Sequence, residues 1–187
     1  MRRPEVVDFL STRRSRPPKL LTAPGPDRAE LLHLLTMAVR APDHGKLEPW
    51  RFIVLAGAGK APFLDAIRAR AAETGADPDK GTSAYEQAPV SVVVVASPKP
   101  SEKIPAIEQT LSAGAVALSL VNAALAEGWG AAWLTGWPVH DAEFIGPALD
   151  LQPGEWVAGV VHIGSCDRQV SDRPRPDVES IVTWRDG

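Results

Sequence analysis

The sequence predicts a layered domain in which helices cover both faces of a sheet of four or five strands. Helical and strand patterns alternate along the chain. Val90–Ala96 is an almost unbroken run of β-branched residues, as is typical of a strand covered on both faces. Ile107–Glu127 is apolar on every side, as expected of a helix in a core or an interface. A chain of 187 residues is long enough for one such domain with its own core.

The first third of the chain predicts two helices and a strand. Glu5–Thr12 can form a short helix, which the two following prolines would end. Asp27–Val39 is the clearest helix, because Asp27 and Glu30 have the spacing of a capping box. Arg51–Leu55 (RFIVL) then predicts a strand.

The middle of the chain predicts shorter elements around a polar gap. A helix is expected within Gly57–Thr74, strands at Gly130–Leu134 and Trp156–Ile163, and a short helix over Asp141–Leu149. Residues 75–87 are polar and without periodicity, and predict either a mobile loop over a site or a long connection.

The end of the chain differs in composition from the rest. Residues 164–187 are polar and proline-rich but finish with the apolar run Ile181-Val182-Thr183-Trp184. We therefore expect residues 1–163 to form the domain and residues 164–187 to form an extension that docks on another surface.

Composition excludes several classes of protein. The net charge of −3 and the pI near 5.8 give no basic field for general nucleic-acid binding. Cys166 is the only cysteine, which excludes disulfides and cysteine-based metal sites within one chain. No membrane span is expected from the apolar runs, and the N-terminus lacks an apolar signal core. A cytoplasmic protein is the simplest expectation.

Two polar stretches are candidates for ligand binding. Arg13-Arg14-Ser15-Arg16 follows the first helix, and its guanidinium groups match the oxygens of a phosphate; the alternative is a solvated basic turn. The stretch Arg40–Trp50 (RAPDHGKLEPW) connects a helix to a strand and is stiffened by Pro42 and Pro49. Its alternative is a connection with solvated charges.

Other catalytic motifs fail on spacing. The segment GAGKA lacks the spacing and the hydroxyl of a phosphate-binding loop, and GWG precedes a strand where a dinucleotide fingerprint needs a helix. Asp43-His44 is at best half of a hydrolase triad, since adjacent residues rarely orient each other in that way. The histidines lack the close spacing of metal ligands, so no metal is expected; they are His33, His44, His140 and His162.

Five segments in this order resemble the flavin-dependent nitroreductase family, and most closely its small YdjA-like subfamily. They are RRS, APDHGKLEPW followed by RFIVL, EQTLSAG, EGWGAAWLTG and a final strand ending in HIGS. The resemblance covers most of the chain. It implies an α+β fold, a three-layer α/β/α sandwich with a mixed, mainly antiparallel sheet. It also implies a homodimer that binds two FMN molecules at the subunit interface, with the C-terminal extension docked on the partner.

The resemblance also implies roles for individual residues. The phosphate and ribityl chain of FMN would be held by Arg13, Arg14 and Ser15. The flavin would be contacted from the partner subunit by Arg40 and His44, and from the second segment by Trp133, Leu134 and Thr135. A stretch assigned to the nicotinamide nucleotide corresponds to Ala123, Ala124, Leu125, Ala126, Glu127 and Gly128.

The implied activity is transfer of hydride from NADPH or NADH to FMN and then to a nitroaromatic or quinone-like acceptor, in ping-pong order. FMN carries this chemistry, so no catalytic side chain is expected of the protein. The alternatives are dehalogenase or dehydrogenase chemistry on the same fold, and a flavin-binding or flavin-storage protein without turnover. Glu48 stands where the wider family often has glutamine and has no assigned role. Arg168 is the only candidate for a basic C-terminal residue at the phosphate.

Overall fold

The computed structural model describes residues 1–185 and contains a four-stranded sheet between two layers of helices. The strands are β1 (Trp50–Ala56), β2 (Val90–Ala96), β3 (Gly130–Leu134) and β4 (Trp156–Gly164). The helices are α1 (Pro4–Thr12), α2 (Arg28–Ala38), α3 (Ala61–Thr74), α4 (Pro78–Gln87), α5 (Ala106–Ala126), α6 (Trp137–His140) and α7 (Ala142–Ala148).

The strands lie in the order β1-β2-β4-β3, and every neighbouring pair is antiparallel. Val93 of β2 is opposite Ile53 on one side and Val160 on the other. Every residue of β2 is buried, because helices pack on both faces of the two central strands. The predicted α+β class with a mainly antiparallel sheet is confirmed.

Two apolar clusters lie on opposite faces of the sheet. The first joins α2 and α5 to alternate residues of β2 and β4, with Leu34 and Leu120 at its centre. The second joins α3, α4 and α7 to the other face, with Ile67 and Phe144 among its members. This alternation is the period of two that strands impose on their side chains.

Helix α5 is the long helix that the sequence predicts, and its packing sets the shape of one layer. It has 21 residues and a mean hydropathy of 1.4, so by length and composition it could cross a membrane, contrary to the expectation from the sequence. Half of that apolar window is buried, against α2 and three strands, as in a core helix. Ile107, Leu111 and Leu118 remain exposed on its outer side.

Residues 75–87 are not the loop that the sequence suggested, because most of them form α4. Asp77 caps this helix by accepting from the backbone N–H groups of Asp79 and Lys80 at 3.0 and 3.3 Å. Gly81 lets α4 approach α3 so closely that a Cβ there would collide with Ile67. The apolar periodicity was too weak to predict this helix, because its buried positions are Gly81, Thr82 and Tyr85.

Candidate functional site

The basic turn after α1 is fixed against the edge of the sheet. The backbone N–H of Arg13 donates to Phe9 O at 2.7 Å and ends the helix. The backbone N–H of Arg16 donates to Ala131 O at 2.8 Å, which ties the turn to the free edge of β3. Within the turn, Arg13 Nη2 donates to Ser15 Oγ at 3.3 Å. Backbone hydrogen bonds of Arg13 and Arg16 therefore fix the two ends of the turn, and side-chain hydrogen bonds to Ser15 join the residues of the RRS motif.

The guanidinium groups of this turn have unmet hydrogen-bonding capacity. The Nε atoms of Arg13 and Arg14 are buried and have no hydrogen-bond partner among residues 1–185. Burial, and then the charges of Arg175 and Arg14, lower the pKa of Arg13 from its ordinary value. Clustered, partly desolvated positive charge with unpaired donors fits an anion. The solvated basic turn was the alternative, and the burial of these atoms argues against it.

Arg175 brings a further guanidinium to this turn from the C-terminal extension. Its Nη2 lies 2.7 Å from Asp172 Oδ1, and its charge is the one from the extension that acts on Arg13. The sequence had suggested Arg168 for such a role. No sequence signal connects Arg175 to Arg13, because their proximity depends on the path of a proline-rich segment across the domain.

The Arg40–Trp50 loop has a strained backbone. Lys46 and Glu48 have positive φ angles of 55° and 49°, next to Gly45 at 76°. The carboxylate of Asp43 stabilises this path by accepting from the backbone N–H groups of Leu47 and Glu48 at 3.2 and 2.9 Å. Asp43 therefore has a structural task in the loop, and the side chain of Glu48 points to solvent.

Helix α5 holds the same loop from beneath. Ser112 Oγ donates to Pro42 O at 2.7 Å and accepts from Trp50 Nε1 at 3.1 Å, so one hydroxyl joins both ends of the loop. His44 Nδ1 lies 2.5 Å from Glu108 Oε2. Arg40 and His44, the two residues predicted to reach the flavin of a partner, are both exposed in the single chain.

The third predicted segment, Trp133-Leu134-Thr135, forms the end of β3 and the residue after it. Trp133 and Leu134 are each 38% exposed, although both are large apolar residues. The indole of Trp133 lies over Gly159, where no Cβ intervenes. Leu134 and Thr135 line a cavity of about 280 Å³ on the face that carries α4.

The walls of this cavity come from α4 and β4. Lys80, Ser83 and Tyr85 line it from the helix and His162 from the strand. The ring of His162 is buried, bonded through Nδ1 to Ser91 Oγ at 2.9 Å and packed edge-on against Tyr85. Burial, and then the charge of Lys60, lower the pKa of His162 to about 4, and burial raises the pKa of Tyr85. Both groups are therefore uncharged at neutral pH.

The chain matches a known protein family over most of its length. The family model described as Nitroreductase family matches residues 10–165. The chain belongs to the nitroreductase family. A protein of Haemophilus influenzae, provisionally named an NAD(P)H nitroreductase, is 36% identical over 185 residues, covering 96% of this chain and 99% of that protein. YdjA of Escherichia coli K12, provisionally named in the same way, is 29% identical over 184 residues with the same coverage. The resemblance drawn from the motifs is confirmed.

The fold of this nitroreductase-family chain is shared with a solved structure from Desulfovibrio desulfuricans, described as a nitroreductase in complex with FMN. The two chains superpose with a TM-score of 0.76 at 22% identity, and each is covered over 100% of its length. A likeness at this level of identity establishes the fold.

The nitroreductase fold places two of the predicted cofactor groups along one edge of the sheet and the third on the loop that α5 holds. The basic turn is bonded to β3 at Ala131, and Trp133–Thr135 begins two residues further along the same edge. Those two groups therefore form one continuous surface. Arg40 and His44 are exposed on the loop that α5 holds through the contacts of Glu108 with His44 and of Ser112 with Pro42 O.

The predicted nicotinamide stretch of this nitroreductase-family chain lies partly in the core and partly at the surface. Ala123 and Ala124 are 7% and 0% exposed and pack in the core, whereas Ala126, Glu127 and Gly128 are exposed. The segment is also the C-terminal end of α5, where the helix dipole repels anions. Glu127 adds a negative charge there, 3.5 Å from His33. The family resemblance had suggested this stretch from sequence position alone.

Proposed function

We propose that this protein is an FMN-dependent NAD(P)H oxidoreductase of nitroreductase type that works as a homodimer. The observation that carries the proposal is the pair of buried, unpaired Nε atoms of Arg13 and Arg14 beside the edge of β3. A bound phosphate would supply the missing acceptors. The names of the two relatives and the FMN complex of the similar structure support the same choice of cofactor and donor.

Arg13, Arg14 and Ser15 would hold the phosphate of FMN. A phosphate monoester carries nearly two negative charges at neutral pH. Charge-assisted hydrogen bonds contribute about 1.5–3 kcal/mol each, so a few of them are enough to anchor a noncovalent cofactor. Arg175 lies close enough to lower the pKa of Arg13, and it would add a third cation to this site.

Trp133, Leu134 and Thr135 would contact the flavin ring at the end of β3. The exposed indole of Trp133 supplies an apolar surface on the α5 face of the sheet that is costly to leave in water, while Leu134, the next residue of the strand, lies on the opposite face. The adjoining cavity offers uncharged polar groups, since His162 and Tyr85 are neutral at pH 7. When bound, FMN supplies the hydride chemistry that connects the nicotinamide to the acceptor. The protein's part is to bind and orient it and to limit access of water.

The homodimer is proposed because the chain exposes apolar surface next to the residues predicted to cross the interface. A long helix and the C-terminal extension both carry such side chains, and patches of this kind mark association surfaces. The exposed residues are Ile107, Leu111, Leu118, Val178, Ile181 and Trp184. Arg40 and His44 are both exposed, and His44 contacts α5 through Glu108, which supports a role for them at the cofactor of the second subunit.

The proposed reaction takes electrons from NADH or NADPH and gives them to a small acceptor such as a nitroaromatic or a quinone, in ping-pong order. Ping-pong order needs only one exposed site, because the donor leaves before the acceptor binds. The surface between the basic turn and Trp133 would be that site. A single cavity beside Thr135 would then hold polar groups of either molecule.

Flavin binding is the first test. Purified protein should take up FMN with the change in visible absorption that accompanies binding, and NADH or NADPH should bleach the bound flavin in the absence of oxygen. Arg13→Ala should weaken FMN binding by roughly 10-fold or more, the size of one charge-assisted hydrogen bond. Arg2→Ala, which removes an exposed arginine ahead of α1, is the control and should bind as the wild type does. A wild-type protein that takes up no flavin would overturn the proposal.

A further inference from the structure

The contact between Glu108 and His44 joins α5 to the loop that the proposed function places at the partner's flavin. The two side chains meet at 2.5 Å, Oε2 to Nδ1. They are 42% and 63% exposed, so this contact contributes little to stability. Because the contact is short and lies on the loop of the proposed site, its role is expected in binding and not in stability.

The loop on which His44 sits is already restrained at three other points. Ser112 lies one turn after Glu108 on α5 and bonds Pro42 O and Trp50 Nε1. Asp43 accepts two backbone N–H groups within the loop. These contacts fix the backbone, but none of them fixes the imidazole ring. Glu108 makes the one contact among residues 1–185 that determines where the His44 ring points.

We infer that Glu108 is a positioning residue, which orients the His44 ring and fixes its tautomer for contact with the cofactor of the second subunit. This inference rests on the role given to His44 in the proposed function. A carboxylate that accepts from Nδ1–H leaves Nε2 of the neutral ring as a hydrogen-bond acceptor facing away from α5. Nε2 has no hydrogen-bond partner among residues 1–185. A ring held in this way before binding loses less rotational freedom when the cofactor arrives.

Glu108 could also act on the helix dipole of α5 and not on the His44 ring. Glu108 lies in the first turn of α5, where any carboxylate interacts favourably with the helix dipole. Glu108→Gln removes the charge but keeps an oxygen that can accept from Nδ1–H. Glu108→Ala removes both. A dipole effect makes the two variants alike, whereas positioning makes the glutamine variant resemble the wild type.

The test combines nitrogen NMR of the flavin-free protein with FMN titrations. At a pH where the imidazole is neutral, the ring-nitrogen shifts of His44 should show a protonated Nδ1 in the wild type and in Glu108→Gln. In Glu108→Ala they should move towards the Nε2-protonated tautomer that an unrestrained histidine side chain prefers. FMN affinity should fall roughly 5- to 10-fold in Glu108→Ala and in His44→Ala, and no further in the double variant. Glu102→Gln, an exposed carboxylate ahead of α5, is the control and should match the wild type.

Each outcome decides one question. Unchanged His44 nitrogen shifts in Glu108→Ala overturn the positioning role, even where FMN binds normally. Equal losses in the glutamine and alanine variants also overturn it and assign the effect to the helix dipole. A wild-type protein that shows the Nδ1-protonated ring but binds no FMN would instead overturn the proposed function and leave the contact itself established. Far-ultraviolet circular dichroism of each variant shows whether α5 is intact.

Discussion

Trp133 packs its indole directly on Gly159, so that a Cβ at position 159 would overlap the ring. This contact crosses from the edge strand β3 to β4 on the face that carries α5. It explains how a tryptophan that is 38% exposed keeps a defined orientation, since the indole packs against Gly159 instead of rotating in solvent. The position of the indole that is proposed to contact the flavin ring therefore depends on the absence of a side chain at Gly159.

Gly159→Ala should displace the indole and weaken FMN binding more than it weakens the fold. Overpacking of this kind costs about 1–3 kcal/mol, which urea unfolding would measure. Gly146→Ala is the matched control, because Gly146 lies in α7 with open space around it and should become slightly more stable. An alanine variant at 159 with wild-type FMN affinity would show that the position of Trp133 is unimportant for the cofactor.

Arg175→Ala should weaken FMN binding by roughly 5- to 10-fold, because it removes a charge next to the proposed phosphate site. The loss should shrink at high salt, since part of the interaction is screened there. Arg168→Ala provides the comparison, as Arg168 belongs to the same extension and is not the charge that acts on Arg13. Equal losses from the two variants would contradict the assignment and indicate a general effect of positive charge.

Local patterns in the sequence were enough to predict most of the fold. The capping box of Asp27 and Glu30 is present with both hydrogen bonds, and β2 is buried throughout as its β-branched run indicated. The RRS motif and the Trp133 segment were also found in advance, because short motifs in a fixed order carry that information. These features depend on residues close together in the chain.

Contacts between distant segments were beyond the reach of sequence patterns. Glu108 and Ser112 were seen only as part of a helix, because their bonds to the Arg40–Trp50 loop depend on how α5 packs. Helix α4 was missed since its packing uses a glycine and a threonine in place of an apolar stripe. Arg175 reaches the basic turn by way of an irregular segment, for which no periodicity exists.

His162 should make the stability of the protein fall as the pH is lowered from neutral. Its pKa is about 4 in the folded chain against an ordinary value of 6.5, so the unfolded chain binds more protons between those values. The contribution is fully present above about pH 6.5 and decreases by about 2 kcal/mol on the way to about pH 5. Above about pH 5 the ion pair of Glu155, whose folded pKa is about 2, does not yet titrate.

His162→Asn tests this dependence, because an amide can still bond to Ser91 but does not titrate. Urea unfolding at a series of pH values should give a flatter profile for this variant than for the wild type between about pH 6.5 and pH 5. His33→Asn removes an exposed imidazole on α2 and should keep the wild-type slope, since His162 is still present. Parallel profiles for the wild type and His162→Asn would contradict the assignment.

Removal of residues 176–187 should weaken the dimer without unfolding the domain. The described part of this segment exposes Val178, Ile181 and Trp184 by 63%, 68% and 76%, so a single chain gains little from burying them. In a dimer these side chains would be buried against the partner, at about 25 cal/mol for each Å² of apolar surface. Sedimentation equilibrium should therefore show a higher dissociation constant for the truncated protein, while its circular dichroism stays the same.

The truncation keeps Arg175, so any loss of FMN affinity would follow from the dimer and should be recovered at high protein concentration. A truncated protein that remains fully dimeric at the lowest measurable concentration would show that the extension docks elsewhere.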